Sequence, residues 1–227
     1  YALPTMVIKA AVALIAWKAW KEGRWLRALI GFVLAIGSGL TYALYIIALG
    51  AITNVSSALL MNPKMKENTV IVWLGGHAHH MPDTREFNMK QDVAGARVLF
   101  GCGVPVVQLP CKGVVDVLRT SRYELEHWLL GKNPLCDYLV ENTIREAESY
   151  AAGKPWTRVI WDVTPIAWLV NEGGCFMTDD LRPSPVPEYE HTYRFDNSRH
   201  LIRYVTSIHR DAVFEDLFRR LGEGKWC

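Results

Sequence analysis

The sequence predicts an α/β fold: a mostly parallel sheet with helices on both faces, open and Rossmann-like, with an atypical N-terminal part. Three observations carry this. Short apolar runs rich in β-branched and aromatic residues recur at 42–50, 69–76 and 104–110. Patterns of helical period alternate with them. The first two runs end on Gly50 and Gly76, as an interior parallel strand ends at a turn.

Residues 1–42 stand apart from the rest. Glu22 is the only acidic residue in the first fifty, and no Asp precedes Asp83. The basic and aromatic stretch "WKAWKEGRWLR" (17–27) leads into 22 uncharged residues, Ala28 to Leu49. That length suits a membrane-crossing helix. Lys18, Lys21, Arg24 and Arg27 would then form the cytoplasmic flank, with Trp17, Trp20 and Trp25 near the interface. The competing reading divides the run into a buried helix and a buried strand. Gly31, Gly37, Ser38 and Gly39 interrupt it, and "YALYIIALG" (42–50) has strand composition. The strand fits better with the α/β pattern of the residues after it. The run is too long for a signal peptide, and no clear small-residue cleavage site succeeds it. The chain opens on Tyr1 rather than Met, which suggests a fragment or a trimmed chain. The expected organisation is a helical, apolar and basic segment over 1–42, with membrane association as an alternative, and one α/β domain over 43–227.

From residue 42 the elements run in order. "LYIIALG" reads as a strand, and "NVSSALLMNPK" (54–64) as a helix that Thr53 or Asn54 can cap. "TVIVWLGG" (69–76) is a second buried strand, "QDVAGARVLFGCG" (91–103) a helix closed by Gly103, and "VPVVQLP" (104–110) a third strand. Helices are expected over 121–130 and 135–153. "RVIWDVTPIAWLVN" (158–171) begins as a strand and runs into a helix, with Pro165 in its first turn. "RPSPVPEYEH" (182–191) reads as a connector, and 211–226 as an amphipathic surface helix closed by Gly222. In such sheets ligands bind at the carboxyl ends of the strands, so the tips after Gly50, Gly76 and Trp161 are where chemistry is sought.

A net charge of +2 without basic clusters argues against a nucleic-acid partner. The five cysteines are scattered with no CxxC pair, which suggests neither a zinc ribbon nor a disulfide framework. Reduced thiols and a cytoplasmic location are expected, with membrane association through 28–49 as the alternative.

Three places can carry chemistry. His77, His79 and His80 sit close together, but no third ligand lies at a zinc spacing, so they read as pocket histidines. In "EFN", an extended backbone would turn Glu86 and Asn88 to one side and Phe87 to the other. A carboxylate beside an amide suits the vicinal hydroxyls of a sugar; the plainer reading is two solvated loop residues. In "VIWDV", Asp162 at a strand end can bind a hard cation and Trp161 can stack on a planar base. Equally, Asp162 can cap the helix after it.

Taken together, "ALGAITNVSSALLMNP" (48–63), "VIVWLGG", "REFNMKQDVAGARVLFGCGVPVVQLP" (85–110) and "VIWDVTPIAWLVN" resemble, in order and spacing, the inosine-uridine preferring nucleoside hydrolase family. The resemblance covers roughly residues 43–220. It implies a nucleoside N-ribohydrolase in which calcium holds the ribose hydroxyls and the attacking water. Carried over by position, Asp162 and the Leu49 carbonyl would bind calcium, and Glu86 and Asn88 the ribose. Trp161 would favour a purine, and His79 or His80 would stand near a further substrate contact. The partner is a ribonucleoside, and a homo-oligomer is implied. One departure outweighs the match: the family's Asp-x-Asp-x-Gly-x-Asp-Asp turn, with its general base, has no counterpart here. Without that turn's strand, the sheet is expected to be exposed along one edge. Calcium takes about six to eight oxygens, so an impaired hydrolase is expected. The alternatives are an acidic cluster supplied by another chain, or a non-catalytic nucleoside-binding domain tethered by 28–49.

Overall fold

The structure is a computed structural model that describes residues 43–224. Leu44–Ala48 (β1) runs parallel to Thr69–Leu74 (β2), which runs parallel to Val106–Leu109 (β3). Helices Thr53–Met61 (α1), Met65–Asn68 (α2), Phe87–Gln91 (α3) and Val93–Gly101 (α4) make the crossovers. β2 shows why this is a sheet interior. Its β-branched run suits a pleated backbone, and all but one of its residues are buried. Successive side chains enter opposite cores. Ile71 and Trp73 join Leu59 of α1 and Leu99 and Phe100 of α4, while Val72 and Leu74 join the other face. Each such burial is worth roughly 1.5–3 kcal/mol.

That other face is covered by Arg122–Leu129 (α5), Pro134–Ala151 (α6) and the C-terminal helix. Local caps set the limits of α5 and α6. Ser121 Oγ accepts from the Glu124 amide at the start of α5, and Asn133 Oδ1 accepts from the Cys136 amide at the start of α6. Between β3 and α5 lies Arg119–Thr120 (β4), which pairs antiparallel with Arg158–Val159 (β5) in a separate small sheet. The α/β architecture with helices on both faces is as expected, but several elements correct the sequence reading.

Val159 does not continue into a central strand. After β5 the chain enters a 3-10 turn, Trp161–Val163, and then Thr164–Leu169 (α7). Two long strands were not anticipated. Met177–Pro183 (β6) pairs antiparallel with Leu201–Ile208 (β9), and β9 pairs parallel with β3, giving the order β1–β2–β3–β9–β6. The expected connector at 182–191 instead holds the end of β6 and Val186–Pro187 (β7), which pairs with Tyr193–Arg194 (β8). The last helix, Arg210–Glu223 (α8), runs through Gly222 and ends at Gly224, whose φ of 61° is left-handed. Neither Thr53 nor Asn54 caps α1; Ile52 stands at that position with no side-chain cap.

Among the described residues β1 is an outer strand of the sheet, with Leu44 58% exposed. Of the uncharged run 28–49, residues 44–48 are this strand, so a single helix over the whole run is not formed; 28–42 lie outside the described residues. Among the described residues no helix is long and apolar enough to cross a membrane.

Candidate functional site

The loops leaving β2 and β3 stay zipped beyond the sheet. Gly75 N donates to Leu109 O, Cys111 N to Gly76 O, and Ala78 N to Lys112 O. This pairing brings the histidine loop alongside Cys111 at the carboxyl ends of the strands. Gly76 makes the turn with φ of 76°. There its amide donates to Glu86 Oε2 at 3.0 Å.

The extended run expected over 86–88 stops at its first residue: Glu86 has an extended backbone, with φ −74° and ψ 147°, but Asn88 does not. Glu86 is the N-cap of α3, and Asn88 lies in that helix. Both Glu86 oxygens are engaged: Oε1 accepts from the Asn88 amide at 2.8 Å, and Oε2 from the Met89 amide at 2.9 Å as well as from Gly76. The carboxylate satisfies donors that a helix start leaves orphaned. Asn88 donates both amide protons, to Leu49 O at 3.2 Å and Leu74 O at 2.8 Å. It thereby fastens the ends of β1 and β2 to α3. The two residues are together, as the EFN reading proposed, and both are buried rather than solvated.

Cys111 packs against Glu86. Burial, with the nearby carboxylates of Glu86, Asp162 and Asp116, pushes its thiol far above the ordinary range, so it is a neutral donor and not a nucleophile. His77 is buried, its Nδ1 accepting from the Lys112 amide at 3.4 Å. Desolvation lowers its pKa, a trend that Glu86 opposes.

His79 lies in an aromatic box. Its ring centroid is 4.2 Å from Tyr204 and 5.1 Å from both Tyr193 and Phe195. Its amide donates to the Tyr204 hydroxyl, and its Nε2 lies 3.0 Å from Gln108 Oε1. Burial lowers its pKa to about 4, against the raising effect of the Gln108 bond. His80 is exposed, and its ring approaches Gly113.

Asp162 is in the 3-10 turn and exposed, and partial desolvation of its carboxyl raises its pKa. It does not cap α7, whose N-cap position is Val163 with no side-chain cap. It borders a mainly apolar groove of about 360 Å³ lined by Ile166, Phe176, Val213 and Leu217. Trp161 is half-buried against the sheet-face core.

The donors do not compose a calcium cage. Asp162 is one anionic oxygen source. The Leu49 carbonyl already accepts from Asn88, and the Glu86 oxygens face three backbone amides. Among the described residues no group of three or more His, Cys, Asp or Glu can hold a metal ion. The chain before residue 43 contributes one acidic side chain, Glu22.

Sequence reasoning missed Cys111, Gln108 and Tyr193. Cys111 comes just after β3, where ligands gather in such sheets, and Gln108 is a polar residue inside the apolar strand "VVQL"; both signals were available. Nothing in the sequence marks Tyr193, which reaches the site from β8.

Among solved structures, an inosine-uridine preferring nucleoside hydrolase from Bacillus anthracis superposes with a TM-score of 0.63 at 15% identity, over 81% of this chain and 61% of that one. An inosine-guanosine nucleoside hydrolase gives 0.62 at 15% identity, over 80% and 62%. The type III effector protein XopQ, complexed with adenosine diphosphate ribose, gives 0.53 at 16% identity, over 82% and 62%. At these identities the likeness is one of fold. The chain spans about three-fifths of the length of these proteins. No curated protein matches it by sequence. The model of one family, described as inosine-uridine preferring nucleoside hydrolase, matches residues 22–214. With most of its 227 residues inside that match, the chain belongs to the inosine-uridine preferring nucleoside hydrolase family.

Proposed function

We propose that this chain binds a ribonucleoside at the loops after β1 and β2, and that its cleavage of the N-glycosidic bond is impaired. We assign the nucleoside-hydrolase-like unit to residues 43–227 from their sequence pattern; the family match itself begins at residue 22. Membership of the family supports the substrate class. One observation carries the impairment: the carboxylate nearest the proposed ribose position, Glu86, is committed to three backbone amides, and among the described residues Asp162 has no acidic companions that complete a metal cage. Without a general base alone, a rate typically falls ~10²–10⁴-fold. Asn88 keeps the Leu49 carbonyl and the EFN helix in register, and its own carbonyl oxygen is the atom left to accept from a sugar hydroxyl. Trp161 would stack on the base through its uncovered side, so Trp161→Ala should weaken inosine binding more than uridine binding.

The test is ribose release from inosine and uridine by the purified chain, with added calcium and with chelator. Circular dichroism establishes that the protein is folded, and calorimetry measures inosine binding. The expected result is binding without appreciable release. Calcium-dependent release at an ordinary enzymatic rate would refute the impairment. Folded protein that binds neither nucleoside would refute the substrate class.

A further inference from the structure

Gln108 sits in the middle of β3, fully buried, between the histidine loop and Tyr193. Its amide orientation is set by its partners. Nε2 lies 3.1 Å from Gly75 O and 3.0 Å from the Tyr193 hydroxyl. A backbone carbonyl only accepts, so the atom facing Gly75 must be the NH₂ group. That makes Oε1 the atom facing His79, and Oε1 only accepts. His79 Nε2, at 3.0 Å, must therefore carry the proton. In the neutral ring Nδ1 is then a lone pair. Nδ1 makes no bond to the described residues. Among the described residues the sealed side-chain nitrogens and oxygens lacking a partner are Thr120 Oγ1, His191 Nδ1 and His200 Nε2, so His79 Nδ1 is not completely sealed and the half-buried ring keeps some accessible surface there.

The arrangement is anchored beyond Gln108. Thr84 Oγ1 lies 3.3 Å from the Tyr193 hydroxyl and accepts from the His77 amide at 3.1 Å. One network thus holds both ends of the 77–79 turn. Around the imidazole stand Tyr193 from β8, Phe195 just beyond it and Tyr204 from β9. Arg182 and Asp180 of β6 and His80 of the same loop are the other charged or titratable groups acting on it.

We propose that Gln108 is a positioning residue that holds His79 as the Nε2–H imidazole, so that Nδ1 offers a fixed acceptor to a hydroxyl of the bound ligand. The ligand half rests on the proposed nucleoside function; the tautomer half does not. A ligand hydroxyl donating to a pre-oriented acceptor is bound without the ring first choosing a tautomer. A nucleoside lacking the matching hydroxyl would leave the acceptor facing no donor, a penalty larger than that of a missing apolar group.

The experiment is long-range proton–nitrogen NMR of the histidine rings in the full chain at pH 7. The expected spectrum shows His79 as the Nε2–H tautomer, with an Overhauser contact from Hε2 to the Gln108 side chain. An Nδ1–H ring, or an imidazolium at this pH, overturns the proposal. In Gln108→Leu, shown folded by circular dichroism, the tautomer should become mixed; an unchanged Nε2–H ring overturns the role of Gln108. Gln108→Glu should raise the His79 titration midpoint, because a carboxylate in the same place favours the charged ring, and an unmoved midpoint counts against the contact. If neither variant folds, the wild-type Overhauser contact decides. Adding inosine should shift the Nδ1 resonance. Inosine that binds without moving it overturns the ligand half alone, while no inosine binding overturns that half together with the nucleoside function, leaving the tautomer result in place.

Discussion

Replacing Glu86 by Gln separates a structural carboxylate from a ligand-binding one. In the structure the two oxygens accept three backbone N–H groups at 2.8, 2.9 and 3.0 Å. Hydrogen bonds to a charged group contribute about 1.5–3 kcal/mol each, against about 0.5–1.5 for neutral pairs. The best pose for Gln keeps its oxygen toward Gly76 and Met89 and turns its NH₂ toward the Asn88 amide. Two bonds are then weakened, and the third becomes two donors facing each other. Leaving a buried donor unmet adds roughly 1–3 kcal/mol. Burying a neutral side chain in place of a carboxylate recovers part of this. The net loss is about 3 kcal/mol, or roughly a hundredfold in the folding equilibrium. With an m-value of about 3 kcal/mol/M, the urea midpoint falls by about 1 M. The assay is urea unfolding tracked by circular dichroism, with nothing bound. A change of less than about 0.5 kcal/mol would refute the reasoning: the carboxylate would then not be holding the turn at Gly76 and the start of α3, and would be free for substrate.

The same geometry fixes three further outcomes. His79 is neutral in the folded state with a pKa near 4, below the value of 6.5 for a free ring. The unfolded chain therefore takes up a proton first, and stability falls as pH drops from about 6.5 towards 4, by up to about 3 kcal/mol. Urea titrations across that range should show the loss reduced in His79→Gln, and an identical slope in both proteins would rule it out. Gly76→Ala strains a backbone held at φ 76° and drives a Cβ into the Tyr193 hydroxyl, with Met89 Cε at 2.7 Å; thermal unfolding should show a loss well above 1 kcal/mol. Millimolar calcium should leave Tm unchanged, since a ligand stabilises only by binding the native state. A rise of several degrees that chelator reverses would show a cation site outside the donors described.

The sequence by itself determined the early half of the sheet. β1, β2 and β3 are legible because interior parallel strands read as short, mainly apolar runs, a local property that Val70–Leu74 displays without interruption. The helices expected over 121–130 and 135–153 form close to those limits, although their caps, Ser121 and Asn133, were not singled out. The family resemblance pointed to Glu86, Asn88 and Asp162 as candidates, and the lack of aspartates before Asp83 is visible in the sequence. The tertiary structure decided the rest. β6 and β9 mix charged and apolar residues, since one is an edge strand and the other is covered unevenly, so their pairing is not written in either segment alone. The role of Glu86 could not be read from its neighbours, because an N-cap residue has the same extended backbone as a strand residue, and one of the donors its carboxylate meets is ten residues away at Gly76. His79 drew its protonation state from Gln108 on another strand and from rings on β8 and β9. Burial and hydrogen-bond partners are long-range properties, and the chemistry of a buried carboxylate or imidazole is set by them.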